Sequence, residues 1–223
     1  MRNLKQIEGS SATTLILLLL IVFIAADLAK DKWQRAKALD AHAQTIPSWR
    51  ELIAARKPTE GKGGRPIAII EFSDYQCPFC KIMEPRLREL IAKHPGMIDL
   101  YRYDFPLESI HPFARIAANA ADCAGRQGVT EAYQSKLFEQ KTLEDYDWVG
   151  LARATGVPDL GAYRVCLDGD QSANQIKHDV QMGKALKIAS TPTLIINGAL
   201  QSGALTGDQL ETAYSVALRR PAF

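Results

Sequence analysis

Two cysteines, Cys77 and Cys80, stand three positions apart in the stretch EFSDYQCPFCK. Such a pair suits thiol–disulfide exchange, half of a zinc site, or a local structural disulfide. The chain has four cysteines, the others being Cys123 and Cys166, and four allow three pairings. A zinc site wants a second close pair, or a Cys/His pair at ligand spacing. Cys123 and Cys166 are 43 positions apart, and His94, His111 and His178 are isolated, so no metal is expected. A structural disulfide across so tight a loop constrains the unfolded chain little. Redox exchange is the reading these residues favour, and it needs no cofactor beyond the thiols.

The surrounding elements must present the pair. Residues 67–72 (IAIIEF) are β-branched and nearly all apolar, as in a strand buried on both faces. Met83, Leu87, Leu90 and Ile91 mark one face of a following helix, bent at Pro85. Cys77 then falls at or just before the first helical turn, facing unpaired N–H groups and the positive end of the helix dipole. Both lower a thiol pKa, and the thiolate is the attacking species. Pro78 suits the first helical position, where no N–H is needed. Cys80, one turn on, can resolve a mixed disulfide.

Residues 98–103 read as a second strand, and residues 112–187 show only helical periodicity. Phe113, Ile116, Ala117 and Ala120 share a face there, Thr130 caps the next helix, and further helices start near Asp147, Asp159 and Ser172. A strand resumes at 193–196, Asn197-Gly198 signals a hairpin, and Thr206 with Gln209 forms a capping box before a last helix. The expected architecture is an α/β core (67–111 and 188–223) interrupted by an all-helical insert (112–187).

The run from Glu71 to Cys80, together with Ser190-Thr191-Pro192-Thr193, resembles the DsbA-like branch of the thioredoxin superfamily. The resemblance covers about residues 67–218 and implies a thioredoxin-like fold with an inserted helical subdomain. It implies that Glu71, six positions before Cys77, is a buried acid relaying protons to Cys80. It implies a cis Pro192 against the cysteine pair, with Thr191 offering its backbone to a substrate chain. Pro78 and Phe79 would tune the potential. Phe79 departs from the histidine of strongly oxidising relatives, which leaves the direction of electron flow open. The resemblance also implies a structural Cys123–Cys166 disulfide, with two buried free thiols or a second redox relay as alternatives.

At the N-terminus, Arg2 and Lys5 precede the apolar run 13–26. A basic flank and a short apolar run read as a signal anchor or a cleaved signal peptide, segment 1–29. Lys30, Lys32, Arg35 and Lys37 make the far flank the more basic one, against the usual orientation rule. Residues 30–66 read as a stalk: Trp33, Ala36, Leu39 and Ala43 recur at helical spacing, Ser48 and Glu51 suggest a capping box, and GKGGRP forms a flexible joint. The 27 Lys and Arg are interleaved with 25 Asp and Glu, a net charge of +2, so no nucleic-acid footprint is present.

The expectation is an exported, membrane-anchored oxidoreductase that introduces disulfides into exported client proteins through Cys77 and Cys80. The resemblance implies re-oxidation by a quinone-linked membrane thiol oxidase. A reductase or isomerase, or a thioredoxin-fold chaperone or binding module, are the alternatives.

Overall fold

The computed structural model describes residues 4–42 and 44–220. Arg2 and Ala43, both used in the sequence reading, lie outside them. The chain divides into two compact units, residues 1–42 and 43–223. The first is one helix, α1 (Leu4–His42), which runs through the expected boundary at residue 29. Its stretch Thr13–Asp31, 19 residues with a mean hydropathy of 2.2, is long and apolar enough to cross a membrane. Leu15, Leu17, Ile21 and Phe23 are exposed along it.

The second unit is built on a four-stranded sheet in the order β2-β1-β3-β4. β1 (Ile67–Ser73) pairs in parallel with β2 (Ile98–Asp104) and antiparallel with β3 (Thr193–Ile196), which pairs antiparallel with β4 (Ala199–Ser202). β1 is buried along its whole length, as its continuous apolar run requires. The β3–β4 turn is Asn197-Gly198 with φ of 43° and 92°, the positive values that favour these two residues in tight hairpins. Between β1 and β2 lies α3 (Pro78–Lys93), with Pro85 inside it. Between β2 and β3 come five helices: α4 (Ala114–Gly125), α5 (Thr130–Phe138), α6 (Trp148–Ala154), α7 (Leu160–Asp168) and α8 (Ala173–Ala185). α9 (Gly207–Ala217) closes the unit against α3 and carries the expected Thr206/Gln209 capping box.

The two faces of the sheet differ in kind. One is aromatic and apolar: Phe72, Tyr101, Tyr103 and Phe105 pack with Ile46, Trp49, Leu52 and Ile53. The other carries Glu71 and Arg102 under α3.

Residues 44–66 do not form a stalk. Ile46, Trp49, Leu52 and Ile53 are buried in the core, and α2 (Trp49–Ala54) packs on β1. The same segment guards both sheet edges, where unpaired backbone would otherwise face solvent. Ile46 N donates to Gly198 O and Leu200 N to Gln44 O beside β4, while Leu100 N donates to Glu60 O beside β2. The glycine-rich stretch is also no loose joint: the Asp99 carboxylate accepts hydrogen bonds from Lys62 N, Gly63 N and Arg65 N. Ser48 makes no side-chain capping bond, and Val129, not Thr130, occupies the N-cap of α5. Asp147 and Asp159 cap α6 and α7 by accepting from Gly150 N and Ala162 N.

Candidate active site

Cys77 is the N-cap of α3, extended at φ −66° and ψ 123°, and Pro78 follows in the first turn. Its position is set by Asp74, whose Oδ1 accepts from Gln76 N at 2.8 Å and Cys77 N at 3.2 Å. The other oxygen, Oδ2, accepts from Leu107 N at 2.8 Å and His111 Nδ1 at 2.7 Å. One buried carboxylate thus ties the cysteine loop to the loop after β2. Sequence reading assigned no role to Asp74 or His111; the pair is 37 positions apart, and only the fold joins them.

Both cysteines are buried and present as free thiols. Thr191-Pro192 is a cis peptide, and the Cys77 thiol donates to Thr191 O at 3.3 Å. Two segments more than a hundred positions apart therefore meet at one sulfur. Phe79, between the cysteines, is 59% exposed and leaves the outer side of the pair apolar.

The two sulfurs differ in acidity. A hydrogen bond from Cys80 is the largest influence on Cys77; burial opposes it, and the Thr191 hydroxyl and first-turn N–H groups assist, bringing the Cys77 thiol down to about 5. Burial pushes the Cys80 thiol up, and both its bond to Cys77 and the nearby Glu71 charge push the same way. At neutral pH this combination is an ionised Cys77 beside a protonated Cys80, an attacking thiolate with a neutral resolving thiol.

Behind Cys80 lies a buried ionic cluster. Arg102 donates from Nε to Glu71 at 2.8 Å, from Nη2 to Glu84 at 2.5 Å and from Nη1 to Gln134 at 2.8 Å. Glu84 also accepts from Arg88 Nε at 2.6 Å. Burial raises the Glu71 carboxyl above its ordinary value, Arg102 opposes the rise, and Glu84 adds to it. Glu84, held between two guanidiniums, lies below its ordinary value despite burial. Arg102 is charged in the middle of a buried strand, and that was a readable signal; its partners depend on register.

Cys123 and Cys166 form a disulfide joining α4 to α7, with Cα atoms 5.8 Å apart.

The thioredoxin family pattern matches residues 56–214, more than half of the chain. The chain belongs to the thioredoxin family. In its helical insert between β2 and β3 it has the DsbA-like form of that fold. A protein of Salinispora tropica named Na(+)/H(+) antiporter NhaA 3 is 30% identical over 206 residues, 92% of this chain but 30% of that protein. The chain thus spans less than a third of the length of that relative. Disulfide bond formation protein D of Bacillus subtilis is 27% identical over 152 residues, covering 63% of this chain and 68% of that protein. Among solved structures, oxidised BdbD from Bacillus subtilis superposes with a TM-score of 0.66 at 20% identity, over 79% of this chain and 97% of BdbD.

Proposed function

We propose that this protein is a thiol–disulfide oxidoreductase that donates the Cys77–Cys80 disulfide to client proteins outside the cytoplasm, held at the membrane by Thr13–Asp31. A client thiolate attacks Cys77 Sγ, and the Cys77–Cys80 bond breaks. Cys80 leaves as a thiolate and takes up a proton. The client's second thiolate attacks the client sulfur of the mixed disulfide, forming the client disulfide and releasing Cys77 as a thiolate. The backbone of Thr191, beside cis-Pro192, lines the approach to Cys77. Re-oxidation falls to a quinone-linked membrane thiol oxidase.

One observation carries the direction of transfer. A Cys77 thiol lowered to about 5 stabilises the dithiol form at neutral pH, and a stabilised dithiol makes its disulfide a stronger oxidant. The name of the Bacillus subtilis relative, a disulfide bond formation protein, agrees with that direction. The deciding experiment equilibrates the pair with glutathione buffers. A reduction potential near −120 mV supports the oxidase reading, and one near the −270 mV of thioredoxin makes the protein a reductase instead. Protease access in intact cells tests the compartment: a fully protected catalytic unit rules out export.

A further inference from the structure

Besides Thr191 Oγ1 next to Cys77, four oxygen atoms among the described residues of the catalytic unit are shut off from solvent with no hydrogen-bond partner: Glu71 Oε1, Ser73 Oγ, Tyr75 Oη and Asp104 Oδ1. The strand register brings three of them together. Glu71 pairs with Arg102 and Ser73 with Asp104 in parallel alignment, so these four side chains leave the same face of the sheet. That face lies under Cys80 and Glu84 of α3. Tyr75 joins the group from the cysteine loop: its ring packs on Phe138 at 4.6 Å, and the Arg102 guanidinium lies over the same Phe138 ring at 5.1 Å.

These oxygens share one buried neighbourhood. The Ser73 hydroxyl is close enough to act on both the Cys80 thiol and the Glu71 carboxyl. The Tyr75 hydroxyl is close enough to feel Asp104, Arg102, Glu84 and Glu71. Asp104 stands at the outer end: the residue keeps partial solvent exposure while its Oδ1 is enclosed. Buried oxygens in native proteins are almost always hydrogen-bonded, and an unmet one costs about 1–3 kcal/mol. Several polar atoms grouped in one buried place are what ordered internal water needs, since each such molecule makes about three hydrogen bonds.

We propose that Ser73, Tyr75 and Asp104 line an internal water-bearing path that carries the Cys80 proton past Glu71 to and from the surface, with Asp104 as its outer acceptor. Asp104 has the character for this. The cation outside the Glu71 cluster that acts on it most, Arg56, is paired with Asp179 on α8. Asp179 and Asp122 on α4 add negative charge around Asp104, which Arg56 and Arg102 only partly offset. Burial is the main cause of a carboxyl held well above its ordinary range, so it takes up a proton more readily than a surface aspartate does. Ser73, Tyr75 and Asp104 are positioning residues here, since none of them touches the attacked sulfur.

The inference rests on Cys77 and Cys80 being the exchange pair, and glutathione disulfide separates the two questions. In the reduced protein the Cys77 thiolate attacks glutathione disulfide, forming a Cys77–glutathione bond and releasing one glutathione thiolate. Cys80 then loses its proton to the path and attacks Cys77, closing the Cys77–Cys80 bond and expelling the second glutathione as a thiolate. Acid quenching and mass spectrometry follow capture and closure separately. In Asp104→Asn and in Tyr75→Phe, closure slows about tenfold at neutral pH while capture keeps its native rate. The deficit shrinks as pH rises and hydroxide takes the proton directly. Closure at the native rate in both variants overturns the proposal, as does equal slowing of capture and closure. Where Asp104→Asn fails to fold, Tyr75→Phe, which removes one oxygen, decides alone. If the native protein forms no mixed disulfide at Cys77, the exchange-pair reading falls and this inference with it.

Discussion

Replacing Cys80 by alanine tests how the Cys77 thiolate is held. The Cys80 hydrogen bond is the largest cause of the low Cys77 pKa; it outweighs the opposing effect of burial and exceeds the help from the Thr191 hydroxyl and the first-turn amides. A hydrogen bond to a charged group contributes about 1.5–3 kcal/mol. At 1.36 kcal/mol per pKa unit that is about one to two units. The Cys77 midpoint should therefore rise from about 5 to between roughly 6 and 7 in Cys80→Ala, still below a free thiol because the amides of α3 remain. The assay is the pH dependence of iodoacetamide alkylation of Cys77, checked by thiolate absorbance. A midpoint that stays at about 5, or falls, refutes the assignment of the thiolate's main support to Cys80. The same shift sets a stability window. A folded-state pKa below the unfolded value stabilises the reduced fold fully above the unfolded thiol's pKa and loses that contribution as pH falls through about 5. The Tm of the reduced protein, relative to the oxidised one, should rise between pH 5 and about 8, below the range where Cys80 of the unfolded chain begins to ionise.

Arg102→Met strands Glu71 in the core and should cost about 3–5 kcal/mol in urea denaturation at neutral pH. Adding Glu71→Gln should recover part of the loss, and so should mild acid, because the Glu71 carboxyl, raised by burial, takes up a proton there. Removing the disulfide by Cys123→Ala with Cys166→Ala opens a loop of 43 residues and should cost about 4 kcal/mol on the chain-entropy account, while capture of glutathione disulfide by Cys77 continues. Asn197→Ala loses bonds to Ala68 N, Pro66 O, Ala217 O and Arg220 O and puts alanine at a positive φ. A loss of about 2–4 kcal/mol, seen as a lower Tm, is expected.

What could be read from the sequence was what depends on near neighbours. The apolar run of β1, the Asn197-Gly198 turn, the Asp147 and Asp159 caps and the Thr206/Gln209 box each need only a few adjacent residues. The cysteine pair at the head of α3 was legible for the same reason. Residues 44–66 misled because nothing local says that Ile46 will bond to Gly198, or that Asp99 will gather three amides of the glycine-rich stretch. Ser172 starts a helix as its type suggests, yet its hydroxyl goes to Asp122, 50 positions away. Around the cysteines, Asp74 and Arg102 escaped because their work is done across the fold, on His111 and on Glu71.

The unlike faces of the sheet bear on how the chain finds its pairing. β1 and β2 join only after α3 has been threaded between them, and parallel pairing of this kind has no tight turn to set its alignment. A slip of one residue exchanges the faces of a strand. For β2 that slip would drive Arg102 into the layer of Phe72, Trp49 and Leu52 and turn Tyr103 toward Glu71 and Glu84. A stranded guanidinium on one side and two carboxylates without it on the other cost far more than any misaligned apolar strand. The charges beneath the cysteines thereby proofread the pairing of β1 with β2 as the protein folds.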